Sequence, residues 1–124
     1  MKTDNIILEK ILNFSLMSIE YYKKMVSQNE FVLSKQFLKS STSIGANVNE
    51  ATAAQTKKDF ITKMAKASKE ARETKYWITL LEKSQLVLLD WKLLLHEIDE
   101  IIKILTSIVK TAQTNEHSTL SIKN

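Results

Sequence analysis

Few residues in this chain have the types that do chemistry, and their spacing excludes most reactions. There are two histidines, His96 and His117, and no cysteine. A carboxylate-bridged metal centre inside a helical bundle needs inward glutamates together with Glu-x-x-His pairs. His96 has no glutamate three residues before it, and Glu70 and Glu73, which share a helix face, still lack a histidine partner when Glu50 is added. No metal and no cofactor is expected. A serine or threonine nucleophile needs a base within hydrogen-bond reach, and neither histidine is spaced to supply one, so the chain reads as a non-enzyme. The stretch "SSTSIGANVNEA", Ser40 to Ala51, holds the single glycine, Gly45. A phosphate-cradling loop would follow a strand and add a second glycine and a Gly-Lys-Ser/Thr turn. Gly45 has neither.

The remaining chemistry is charge. Of a net charge of +4, the segment 57–84 carries eight bases against four acids, while the other parts of the chain are close to neutral. Successive residues of a helix turn by about 100°, which gathers Lys57, Lys58, Lys66, Lys69, Arg72, Lys75 and Lys83 within a half-circle. Lys66, Lys69, Arg72 and Lys75 form a like-charged i, i+3 ladder, which weakens a helix and invites a polyanion. Three i, i+4 pairs, Asp59 with Lys63, Lys66 with Glu70 and Lys69 with Glu73, are expected to neutralise part of this face. Candidate nucleic-acid contacts are Lys58, Lys66, Lys69, Arg72 and Lys75.

The elements that must carry these residues are helices. One glycine and no proline in 124 residues leave no punctuation for sheets or barrels. The first apolar segment, from about Asp4 to Ser27, has two adjacent tracks, one through Ile7, Ile11, Phe14, Ser18, Tyr21 and Met25, the other through Leu8, Leu12, Ser15, Ile19, Tyr22 and Val26. So broad a face suits two neighbours. Ser27 or Asn29 is the expected N-cap of a second helix, from about Glu30 to Ala54. Thr56 with Asp59 resembles a capping box opening a third helix, whose seam Phe60, Met64, Ala67, Ala71, Thr74, Ile78 and Leu81 repeats at 4, 3 spacing with a small middle. Asp90 is the expected N-cap of a fourth helix to about Ala112, and the leucines of the preceding "EKSQLVLL" are expected to be buried.

Short connections between four amphipathic helices predict an all-α, antiparallel up-down-up-down four-helix bundle over residues 1–113. The tail 114–124 lacks a sustained period and is expected to be disordered. Within the second helix Ser41, Gly45, Asn49 and Ala53 recur every four residues and make a groove of small residues, for which the third helix, with Ala67 and Ala71, is the natural neighbour. Asn47 and Glu50 are expected either to complete a buried polar network or to face a subunit interface. Tyr76 and Trp77 lie off the seam, so at least one should pack on another helix, another subunit or a base. The absence of cysteine suits a reducing compartment, the amino terminus lacks a signal-peptide core, and no run approaches the roughly 20 apolar residues of a membrane span. A soluble cytoplasmic protein is expected.

The segment from Leu38 to Ser84 closely resembles the 23S ribosomal RNA intervening-sequence proteins, a family of four-helix bundles. Ser40, Thr42, Ser43, Ile44, Gly45, Ala46 and Asn47 match the family pattern, followed by Glu50-Ala51, Asp59-Phe60-Ile61, Lys69-Glu70-Ala71, Glu73-Thr74 and Tyr76-Trp77. The departures are Lys39 at an arginine position, Ser41 at an alanine position and Asn49 at another. Lys39 keeps the charge but not the bidentate fork. The resemblance implies a ring-like homopentamer, often encoded within insertions in bacterial ribosomal RNA genes. The similar accessory variability proteins of diversity-generating retroelements hold RNA and a reverse transcriptase through a basic barrel. Together these features lead to the expectation of a homo-oligomer that binds RNA rather than DNA through the third helix and has no membrane partner. The alternative is an oligomeric scaffold for a protein partner, without nucleic-acid binding.

Overall fold

The computed structural model describes residues 2–123, with side chains from residue 6 to residue 115. Four helices follow one another: α1 (Lys2–Ser27), α2 (Leu33–Thr52), α3 (Lys57–Ser84) and α4 (Lys92–Lys123). Each packs on its neighbours in a ring, α1 on α2, α2 on α3, α3 on α4 and α4 on α1, and among the described residues the backbones of the diagonal pairs stay apart. Ser40 meets Thr74 and Glu50 meets Lys63, Arg72 meets Thr106 and Lys75 meets Asp99, and Lys10 meets Glu97 while Tyr21 meets Asp90. Along α2 and α3, and along α3 and α4, residue numbers rise on one helix as they fall on the other.

The apolar tracks explain the packing. Ile7, Ile11, Phe14, Ser18 and Met25 of the first α1 track are buried, as are Leu94, Ile98, Ile101 and Leu105 of α4. The α3 seam is buried from Met64 to Leu81, with Phe60 half-buried at its start. Buried hydroxyls are all satisfied locally: Ser18 donates to the Phe14 carbonyl at 2.9 Å, and Thr74 donates to the Glu70 carbonyl at 2.8 Å and lies 2.9 Å from the Ser40 hydroxyl. That pair lets α2 and α3 approach with small residues on both sides without stranding a polar group.

Several local expectations change. Neither Ser27 nor Asn29 caps α2. Asn29 instead takes the left-handed conformation (φ 64°) that ends α1, with the Glu30 amide reaching back to the Met25 carbonyl at 3.0 Å. Glu30 is the cap: its carboxylate accepts from the amides of Val32, Leu33 and Ser34 at 3.2, 2.9 and 2.7 Å. At α3 the Thr56 hydroxyl accepts from the Asp59 amide at 3.0 Å, and Asp90 accepts from the Lys92 amide at 3.0 Å where α4 opens.

The leucines before α4 are not all buried. Leu86 and Leu88 are exposed and Leu89 is half-buried, while Val87 and Trp91 go under the connection. A chain turning over the end of a bundle can bury only alternate side chains. Gly45 faces α1, not α3: a Cβ there would stand 3.1 Å from the Ile11 Cγ2 methyl and 3.6 Å from the Ser15 hydroxyl. The small residues thus serve two neighbours, Gly45 on the α1 side and Ser40 on the α3 side. Finally, α4 runs to Lys123, past the end near Ala112 that its pattern predicts. In the 114–124 tail, the side chains from 116 on, His117 among them, lie outside the described residues.

Candidate nucleic-acid interface

All five predicted contact residues, Lys58, Lys66, Lys69, Arg72 and Lys75, are exposed on α3. The structure divides them by what they touch. Lys75 forms an ion pair with Asp99 of α4 at 2.7 Å, and Arg72 donates from Nη2 to the Thr106 hydroxyl at 3.1 Å. A single bond from a guanidinium with five N–H donors leaves most of its fork available. Lys58, Lys66 and Lys69 have no carboxylate within ion-pair distance among the described residues.

The three i, i+4 pairs expected to neutralise the face do not form. Lys63 reaches across to Glu50 of α2 at 2.6 Å instead of to Asp59, and neither Lys66–Glu70 nor Lys69–Glu73 closes. Exposed i, i+4 pairs contribute only about 0.3–0.5 kcal/mol, so a bridge to another helix competes easily with them. The Glu50 carboxyl is held below its ordinary value by its bond to Lys63 and by the charges of Lys63 and Lys66.

Helix α4 adds cations that were not expected there, because the segment 85–124 is not basic overall. Lys103 lines a groove of about 460 Å³ between α3 and α4, together with Arg72, Lys75, Asp99 and Ile102. Lys110 lies seven residues on, two turns further along the same face of α4. Charge totals by segment hide this arrangement, since two acids of the fourth helix, Glu97 and Glu100, are drawn to α1 while Asp99 faces α3. Glu97 and Glu100 clamp Lys10 of α1 at 3.0 and 2.9 Å, and Glu100 also pairs with His96. The bond from Glu100 raises the Lys10 pKa against a smaller opposing effect of burial. Glu97 and Glu100 thus lie on the α1 side of α4, while its α3 side carries Lys103 together with Asp99.

The predicted packing residues also separate. Gly45 meets α1, Asn47 is half-buried and donates to the Ser43 carbonyl of its own helix at 2.9 Å, and Glu50 is an exposed bridge to α3. Asn47 and Glu50 therefore do not form a buried network. Trp77 is half-buried against the core, with its indole N–H buried and unpaired among the described residues. Tyr76 points outward, 59 % exposed, with its ring 5.3 Å from that of Trp77 at an interplanar angle of 65°. Among the described residues no three acidic or histidine side chains are grouped to hold a metal ion, and no helix is long and apolar enough to cross a membrane.

Four helices packed in a ring, with no strand among the described residues, define an all-α four-helix protein. The family model for 23S rRNA-intervening sequence proteins matches residues 3–107, and the chain belongs to that family. Among solved structures, a protein described as of unknown function, from the S23 ribosomal protein family of Bacteroides thetaiotaomicron, superposes with a TM-score of 0.83. It is 44 % identical over 87 % of this chain and 98 % of its own. No curated protein gives a significant match.

Proposed function

We propose that this is a non-enzymatic, homo-oligomeric, cytoplasmic protein that binds structured RNA through phosphate contacts from the α3–α4 face. The observation that carries the reading is the unpaired state, among the described residues, of Lys66 and Lys69 beside Glu70 and Glu73, with Lys58 likewise unpaired. Lys103 and Lys110 extend the same surface onto a second helix. Lysines on a helix face recognise charge rather than base edges, so affinity falls steeply with salt and varies little with sequence. Arg72 alone offers a fork suited to two phosphate oxygens.

Assembly into a ring, the pentamer that the family resemblance implies, would repeat this face around an axis and multiply a modest patch into a continuous one. The test is retention of an RNA panel in gel shifts at low and moderate salt by the wild type and by the double variant Lys66→Glu, Arg72→Glu. The variant loses retention while its helical circular dichroism is unchanged. Equal retention by both proteins rejects this assignment of the site.

One observation favours the second reading, a scaffold for a protein partner. Phe31 and Val32, in the α1–α2 connection, and Leu86 and Leu88, in the α3–α4 connection, are exposed at the same end of the molecule. Failure of the wild type to retain any RNA or DNA at low salt selects that reading.

A further inference from the structure

Tyr76 is an exposed aromatic residue on the basic face of α3. At about 100° per residue, Lys69, Arg72 and Lys83 lie within roughly 40° of it around α3. Arg72 is one turn before it, and Lys69 and Lys83 stand two turns away on either side, about 10 Å along the axis. All three are exposed. The tyrosine is thus an exposed aromatic ring set within a row of cations.

Two features orient that ring. Its recorded ring contact is the edge-on one with Trp77, and Trp77 is itself anchored against the core. No cation stands over the Tyr76 ring among the described residues, since the recorded contact of that kind is Lys24 over Tyr21. One face of a braced aromatic is left open between positive charges. Single-stranded nucleic acid offers the complement, a phosphate chain carrying bases with free faces, and base–aromatic stacking is tolerant of sequence. A duplex offers phosphates, ribose hydroxyls and groove edges but no free base face, because its bases are already stacked on each other.

We propose that Tyr76 is a stacking platform for an unpaired base, so that this face takes single-stranded segments of RNA in preference to duplex. The proposal rests on the nucleic-acid reading above and adds the structural class of RNA to it. Lys69, Arg72 and Lys83 hold the phosphates on either side, and Tyr76 holds the base between them.

The test compares wild type, Tyr76→Phe and Tyr76→Ala in fluorescence anisotropy with three probes of one length: oligoadenylate, an RNA duplex and an abasic sugar-phosphate strand. Tyr76→Ala weakens oligoadenylate binding about five- to a hundredfold, the range of one lost stacked base. It leaves the abasic strand and the salt slope unchanged, because the phosphate contacts remain. Tyr76→Phe keeps the ring and binds as wild type does, and wild type prefers oligoadenylate to the duplex.

An equal loss on the abasic strand overturns the proposal, as does an altered subunit number of Tyr76→Ala in light scattering, which would place the ring in an interface. Unchanged oligoadenylate binding by Tyr76→Ala, with binding lost in the Lys66→Glu, Arg72→Glu variant, overturns stacking and leaves the RNA reading standing. Wild type that binds none of the probes at low salt overturns both.

Discussion

Single residues decide how the helices begin and how closely they meet. Glu30 is partly buried, which pushes its carboxyl upward, yet the amides of Leu33 and Ser34, the Ser34 hydroxyl and the Val32 amide together hold it below its ordinary value of 4.5. A lowered acid pKa in the folded state stabilises above the unfolded value and loses that contribution as pH falls through the folded one. Glu30→Ala is therefore expected to cost about 1 kcal/mol at pH 7, in the range of lost N-caps. In urea denaturation the gap between variant and wild type should narrow as pH falls from the ordinary value of 4.5 through the lower one of the folded carboxyl. A gap that persists into strong acid would mean that Glu30 acts through packing. At Gly45 even a methyl would stand 3.1 Å from a methyl of Ile11, which is itself buried in the core. Gly45→Leu is expected to destabilise by about 1–3 kcal/mol through overpacking. Its melting temperature falls, and an unchanged one would show that α1 can move aside.

At the scale of elements, the legible parts were those determined within one helix. The seam of α3 could be read because Met64, Ala67, Ala71, Thr74, Ile78 and Leu81 repeat without interruption, and the structure buries all six. The Thr56 cap was legible for the same reason, being a contact between residues three apart. The partner of Gly45 was not, because period shows which face is bare but not which helix covers it. Glu30 escaped notice since a glutamate before a helix is an uncommon cap, and its carboxylate reaches forward to three amides only because Asn29 turns the chain beneath it.

The broad face of α1 is only partly covered: Leu8 packs on the core and Ser15 stands beside Gly45, whereas Leu12 and Ile19 of the same track are exposed. Leu12 and Leu16 are 60 % and 54 % exposed, and Ile19 lies beside them. A stripe of this kind is a candidate contact between copies. Leu12→Glu with Leu16→Glu is expected to lower the subunit number in light scattering while leaving helical content intact. An unchanged subunit number would assign the stripe no part in self-association.

Over the whole molecule, charge is sorted by helix side rather than by segment. The candidate face was therefore only half visible beforehand: Lys58, Lys66, Lys69, Arg72 and Lys75 share one helix, whereas Lys103 and Lys110 join them only once α4 packs on α3. Lys66 and Glu70 are suitably spaced along the chain but do not pair, and spacing alone could not reveal that Lys63 would cross to Glu50. Lys66 and Lys69 of the ladder thus stay without a carboxylate partner among the described residues, while Lys75 pairs with Asp99 of the neighbouring helix.

Gln28 joins the two connections at one end of the ring. Its side-chain amide donates to the Leu88 carbonyl at 3.1 Å and accepts from the Leu88 amide at 2.7 Å, so one side chain satisfies both polar groups of a residue that is 80 % exposed. This has a kinetic consequence. The Leu88 amide should exchange its hydrogen for deuterium at a rate set by the parting of α1 from the α3–α4 connection, not by its contact with water. In Gln28→Ala that protection should vanish at Leu88 while amides in the middle of α3 keep theirs, making one surface amide a reporter for the opening of that end of the ring.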